Sequence, residues 1–138
     1  MTDQRVVDAS ALAAFLLREP DGRKIDSILP LVESGKCELH APAILEYEMV
    51  NILAMAERKG RIHRNQVPIL LHEWNTIPIT QHTSTTPNIR TRILNLASQH
   101  RLTAYDAAYV ELAERIPAQL ITLDRDLLAL KKLYRWIS

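Results

Sequence analysis

Apolar residues along this chain follow two kinds of pattern. Some form short unbroken runs, and others recur with helical spacing over ten residues or more. The opening Gln4-Arg5-Val6-Val7 reads as a short strand, and Ala9 to Arg18 as a helix ended by Pro20. Asp21 is placed to cap a second helix from Gly22 to Glu33, which Gly35 ends. Cys37 to His40 is a strand candidate. Pro42 starts a long helix through Lys59, with Gly60 beyond its end. Arg64 to Trp74 continues helically, Thr76 to Ile79 reads as a strand, and 81–88 (QHTSTTPN) is a polar loop too short to link domains. Pro87 to His100 and Ala104 to Arg115 are helices. Leu120 to Leu123 is a strand, Asp124 to Lys132 a short helix, and Arg135 to Ile137 a last strand. Short apolar strands alternating with helices predict an α/β fold, a parallel sheet covered on both faces. Ligands in such folds bind at the carboxyl ends of the strands. Asp8 and Asp124 each follow the last apolar residue of a strand, so both are expected on that edge.

Composition narrows the picture. At 138 residues the chain is expected to be one domain, 1–138, and 47% hydrophobic residues suffice for a core. Seventeen Lys and Arg against 16 Asp and Glu give +1, which argues against a disordered or polybasic tail but leaves room for a local basic patch. The single cysteine, Cys37, excludes an internal disulfide and a cysteine zinc site. An acid precedes any apolar run at the N-terminus, and no stretch nears the roughly 20 apolar residues of a membrane span. A reducing cytoplasm is the expected setting.

Each candidate acid also has a structural reading. Asp8 and Asp124 suit helix N-caps, and Asp106 in Thr103-Ala104-Tyr105-Asp106 suits the third helical position of a capping box. Glu48 is harder to explain that way. It shares a helix face with Ile44, Asn51 and Met55, with no Lys or Arg one turn away, whereas Glu46 points to the other side and reads as solvated. A charge facing the core needs a partner, a metal or a raised pKa. Acids converging from two strand ends and two helices would repel one another, and a divalent ion resolves that. All-oxygen donors favour Mg²⁺ or Mn²⁺ and point to phosphoester chemistry.

The segments VVDASALAAFLLREP, EMVNIL, LTAYDAAYVELA and LITLDRDL resemble the PIN-domain ribonucleases, in order, from Val6 to Leu127. The toxin component of VapBC toxin–antitoxin modules is the nearest likeness, and YDAAY is the most specific block. The resemblance implies a PIN-like three-layer sandwich, a short parallel sheet flanked by helices. It implies an endoribonuclease that hydrolyses RNA phosphodiester bonds with a Mg²⁺-activated water and leaves a 5′-phosphate and a 3′-hydroxyl. The family's acids fall on Asp8, Glu48, Asp106 and Asp124, of which Asp8, Asp106 and one or both of Glu48 and Asp124 hold the metal. Ser10, Asn51 and Thr122 match residues that orient ligands and water. Asp126 reads as solvating a helix start. The resemblance also implies a homodimer and a cognate antitoxin, whose tail wraps a groove.

The remaining features have two readings each. Arg58, Lys59, Arg61 and Arg64, with His63, are either a solvated helix end or a contact for RNA or a partner. The histidines show no ligand spacing and read as surface residues. Tyr105, Tyr109, Trp74 and Trp136 read as packing. The helix from Ala43 to Lys59 is apolar nearly all round, so it is expected to bury several sides, one of them in an interface. Two other functions fit the strand-end acids. A stand-alone PIN nuclease of RNA maturation would share the chemistry and lack an antitoxin gene upstream. A non-catalytic phospho-acceptor domain needs paired acids by the first strand and a late lysine, yet no lysine lies between Lys59 and Lys131. A phosphatase of the Asp-x-Asp type is excluded by Asp8-Ala9-Ser10, and a degenerate PIN scaffold is disfavoured because the acids are intact.

Overall fold

The computed structural model describes residues 2–83 and 85–138. Four parallel strands, β1 (Asp3–Val7), β2 (Cys37–Pro42), β3 (Ile79–His82) and β4 (Gln119–Ile121), lie in the order β3-β2-β1-β4. Val6 and Val7 in the middle of the sheet are inaccessible to solvent on both faces, as expected of a covered parallel sheet. The edge strand β3 carries exposed polar positions instead.

Each crossover is helical. Helices α1 (Ala9–Leu16), α2 (Arg23–Asp26) and α3 (Leu29–Glu33) join β1 to β2. Helices α4 (Ile44–Arg58) and α5 (Val67–Asn75) join β2 to β3, and α6 (Pro87–His100) and α7 (Ala104–Arg115) join β3 to β4. Helix α8 (Arg125–Leu128) follows β4. Helix α7 packs on β1, β2 and β4 with α6 against it, while α1 packs on α4 and α5, and α3 and α4 pack on β2. The main core draws on β1, α1, α7, β4 and Ile137, so both ends of the chain contribute to it.

Several boundaries differ from the sequence reading for identifiable reasons. The helix expected over 22–33 is broken into a 3₁₀ turn (Pro20–Gly22), α2 and α3, because Pro30 lacks the N–H that a continuous helix would need and sits instead at the start of α3. Asp21 lies inside that turn and does not cap α2, whose N-cap is Gly22. Pro42 ends β2 rather than starting α4. Thr76 closes α5, so β3 begins at Ile79 and takes Gln81 and His82 out of the polar loop. Ser84 of that loop, like Met1, lies outside the described residues. The helix over 124–132 divides into α8 and a 3₁₀ turn, and of the last strand only Ile137 pairs, in parallel with Leu120. His40 is buried, not on the surface, and its ring nitrogens meet His82 at 3.0 Å and Gln4 at 2.5 Å. Helix α4 buries Leu45, Met49 and Leu53 but leaves Tyr47 76% and Val50 56% exposed. Its extra apolar face is open to solvent.

Gly22 is fixed by close approach. A Cβ there would lie 2.6 Å from the Ala14 carbonyl oxygen and 2.7 Å from the Phe15 Cα, both main-chain atoms of α1. Gly60, beyond α4, has φ +73° but open space around it. Gly22→Ala should therefore destabilise the protein by at least ~2 kcal/mol, as overpacking does. Gly60→Ala should cost about 1 kcal/mol. Urea unfolding midpoints test the order, and equal midpoints would mean that α1 yields freely to the added methyl.

Candidate active site

The acids gather at the carboxyl edge of the sheet. Asp8 leaves β1 and caps α1, with Oδ1 accepting from the Ala11 amide at 3.1 Å and the Ser10 hydroxyl at 2.6 Å. Its Oδ2 accepts from the Thr122 hydroxyl just after β4. That hydroxyl oxygen also receives the Asp124 amide at 2.9 Å, and Ser10 Oγ receives the Leu123 amide at 2.8 Å. Lys24 of α2 adds a bond from Nζ to the Thr122 carbonyl at 3.0 Å. The loops after β1 and β4 are thus tied together through one carboxylate and two hydroxyls.

Asp106 occupies the first turn of α7, behind the Thr103 cap that its own amide meets at 3.1 Å. Asp124 caps α8 by accepting from the Leu127 amide at 3.1 Å. The Asp8 and Asp124 caps expected from sequence are present, and with the Thr103 cap of α7 they hold these acids on one edge. Glu48 of α4 is half-buried and accepts from the Tyr109 hydroxyl of α7 at 2.7 Å, so its partner is a phenol and not a cation. Glu46 is not simply solvated, because it accepts from the Gln81 amide of β3.

Electrostatics show how closely the acids face one another. Asp106 is pushed up to about 6, first by burial and then by Asp124, Asp8, Glu48 and Asp126 in turn. Asp8, only 4% exposed, is also pushed up to about 6: burial outweighs its hydrogen bonds to Ser10, Thr122 and Ala11, and Asp124 adds to the rise. Among the described residues none of these five carboxylates takes part in a salt bridge. Asp106, Asp124 and Asp126 each offer an oxygen within 4.8 Å of the others. That is the scale of the donor shell of a small divalent ion, whose oxygens sit about 2.1 Å from the metal. Unpaired hard-oxygen donors fit Mg²⁺ or Mn²⁺.

Residues 5–133 match the PIN domain family. The chain belongs to that family. Ribonuclease VapC3 of Pyrobaculum aerophilum is 34% identical over 88% of this chain and 90% of its own length. Ribonuclease VapC3 of Mycobacterium tuberculosis is 31% identical over 91% of this chain and 85% of its own. The crystal structure of PAE2754 from Pyrobaculum aerophilum superposes with a TM-score of 0.67 at 29% identity, covering 94% of this chain and 86% of that one. The α/β PIN architecture expected from the sequence motifs is therefore the architecture observed.

Not every residue singled out from sequence joins the PIN-domain acid edge. Ser10 and Thr122 bond directly to Asp8, whereas Asn51, one turn beyond Glu48, is exposed and outside that network. Asp126, read as solvating a helix start, lies with Asp106 and Asp124. The Asp-Arg-Asp spacing at 124–126 was its one sequence signal. Tyr109 was read as packing; it does pack, and it also bonds to Glu48. Arg58 lies ten residues, roughly 15 Å, along α4 from Glu48. Of the basic cluster, Arg61 pairs with Glu19 at 2.6 Å and Arg64 with Glu57 at 3.3 Å.

The raised acids give stability a pH dependence. Both bind a proton more tightly in the fold than in the unfolded chain, whose aspartates titrate near 4. The native state thus holds more protons than the unfolded state between about pH 4 and 6, and stability from these groups falls as pH rises through that window. In EDTA, scanning calorimetry should show melting temperature falling from pH 5 to pH 7 on this account. Asp106→Asn removes one charge without orphaning a hydrogen bond. It should flatten the profile and raise the pH 7 melting temperature by a few degrees; an unchanged profile would mean that Asp106 suffers no such repulsion.

Proposed function

We propose that the protein is a metal-dependent endoribonuclease acting as the toxin of a toxin–antitoxin module, with residues 1–138 working as a single PIN domain. The observation that carries this reading is the set of unpaired, mutually repelling carboxylates at the edge of a PIN sheet. Relatives named ribonuclease VapC, matched over nearly their whole length, support RNA as substrate and a cognate antitoxin as partner. Asp8, Asp106, Asp124 and Glu48 would hold Mg²⁺, with Mn²⁺ as the substitute. Such an ion, when bound, supplies positive charge to phosphate oxygens and acidifies water.

The chain's own residues do the rest. Ser10 and Thr122 keep the Asp8 carboxylate from turning, so a donor is fixed before substrate arrives. Glu48 stands on a different helix from the aspartates and retains one carboxylate oxygen beyond its bond to Tyr109. That oxygen is the one Glu48 would offer to the ion beside the aspartates. Water attack on phosphorus leaves a 5′-phosphate and a 3′-hydroxyl and needs no ribose 2′-hydroxyl.

The open apolar face of α4 gives the antitoxin a place to bind. Val50, Leu53, Ala54, Val67 and Leu71 line a groove of about 180 Å³ between α4 and α5, with Tyr47 exposed beside it on α4. An amphipathic helix suits such a groove, and a basic side chain on the antitoxin would neutralise the acids. Other exposed apolar surface serves a homodimer. Arg58 and Lys59, both exposed, are the members of the basic cluster free to meet RNA or partner. Among the described residues no helix is long and apolar enough to cross a membrane.

Cleavage of RNA should require Mg²⁺ or Mn²⁺ and stop in EDTA. Glu48→Gln should lower the rate by ~100-fold, the upper range for a disturbed set of metal ligands, while Glu46→Gln keeps most activity. Expression alone should arrest growth, and both Asp106→Asn and the partner encoded upstream should relieve the arrest. Cleavage undiminished in excess EDTA would remove the metal mechanism. Normal growth of the natural host, with the partner deleted and soluble protein abundant, would favour a maturation nuclease instead.

A further inference from the structure

Tyr109 is the buried polar group whose chemistry the scheme above leaves unused. Its ring is 1% exposed in the main core, against the sheet, and its hydroxyl donates to Glu48 Oε1 at 2.7 Å. A buried phenol needs an acceptor, and Glu48 is the one it has. The two partners are unequal in freedom. Tyr109 is fixed by packing on all sides, one turn after Asp106 on the same face of α7. Glu48 is half-exposed on α4, and among the described residues its side chain has a hydrogen bond to Tyr109 alone. The rigid partner therefore sets the position of the mobile one. A phenol beside a carboxylate is the donor of the pair, as the 2.7 Å bond has it.

We propose that Tyr109 is the positioning residue for Glu48: its hydroxyl occupies one carboxylate oxygen and leaves the other for the Asp106–Asp124 cluster. Helix α7 then supplies one acid of the site directly, as Asp106, and aligns a second through Tyr109. The proposal rests on the reading of that cluster as a metal-dependent ribonuclease site. A merely structural tyrosine would contribute to the core alone and leave metal affinity unchanged.

Tyr109→Phe separates these roles. The ring still fills the core, and water can replace the hydroxyl at half-exposed Glu48, so the fold is retained; thermal unfolding checks this. Mn²⁺ affinity without RNA, followed by electron paramagnetic resonance, should weaken by about 10- to 100-fold, the usual effect of losing a group that orients a metal ligand. The kcat for RNA cleavage should fall by a similar factor while KM changes little. In a Glu48→Gln background the added Tyr109→Phe change should cause no further loss of Mn²⁺ affinity, because the two residues act as one unit. A folded Tyr109→Phe protein with wild-type Mn²⁺ affinity and kcat overturns the proposal and leaves the ribonuclease reading intact. A full additional loss in the Glu48→Gln background also overturns it, since Tyr109 would then act elsewhere. Wild-type protein that neither binds Mn²⁺ nor cleaves RNA with it overturns the ribonuclease reading and the proposal together.

Discussion

Crowding of negative charge at one edge of a parallel sheet is the constraint around which this molecule is arranged. Two unit charges about 5 Å apart repel by on the order of 3 kcal/mol at an effective dielectric near 20. Asp106 faces four other carboxylates and, among the described residues, takes part in no salt bridge. Helix N-termini lessen the strain, because Asp8, Asp106, Asp124 and Asp126 all lie at caps or in first turns. Each such placement contributes only about 0.3–1 kcal/mol at exposed sites. The helix termini therefore offset a part of the repulsion and leave a remainder. Burial acts with that remainder to raise the Asp8 and Asp106 carboxyls to about 6, burial being the larger cause in both and repulsion from Asp124 only a small one at Asp8. A bound divalent cation would cancel the repulsion, and so the stability of the fold and the proposed chemistry are linked through one group of charges.

The scaffold holds these charges in place from the sheet outward. Parallel pairing of β1 with β4 brings Asp8 and Thr122 together across more than a hundred residues of chain. The Ser10 and Thr122 hydroxyls then bond both to the carboxylate and to the amides of the opposing loop. A shift of one residue in the register of β4 would break this network and turn the apolar side chains of the strand to the wrong face. The same contacts that fix the strand order thus fix the acid edge. The outer acids, Glu48 and Asp126, come from helices rather than from the loops after β1 and β4, and they are less buried than Asp8.

Much of this was legible in the sequence, for physical reasons. The Val6-Val7 pair marks β1, and Cys37 and Leu39 alternating with Glu38 and His40 mark β2; that alternation understates the burial, because a parallel sheet is covered on both faces and His40 is buried too. Long helices at 87–100 and 104–115 carried strong period and clear caps. Errors fell where local rules compete. Pro30 divides what periodicity joins, and Pro42 serves the end of a strand as readily as the start of a helix. Polar Gln81 and His82 become strand residues because β2 pairs with them at Ala41 and Pro42, which no local signal reports. His40 was read as surface because burial of a histidine depends on a partner from a distant strand, here His82.

The candidate site divides in the same way. Asp8, Asp106 and Asp124 meet on one edge as expected because each sits at a helix start after a recognisable motif, where spacing along the chain decides the geometry. Glu48 was found by helical phase, since an acid on an apolar stripe calls for an explanation. Asp126 and Tyr109 were assigned bland roles because their local roles are satisfied. Asp126 does occupy an exposed first turn, and Tyr109 does fill the core. In both cases the local role is correct, and a second contact stands beside it: Asp126 with Asp106 and Asp124, Tyr109 with Glu48. The capping aspartates teach the same lesson from the other side: Asp8 and Asp124 are true N-caps, and capping is the means by which they reach the acid edge. A structural explanation for a residue is therefore weak evidence against a chemical one. In a small fold the backbone bonds that fix a helix start also aim the carboxylate that caps it.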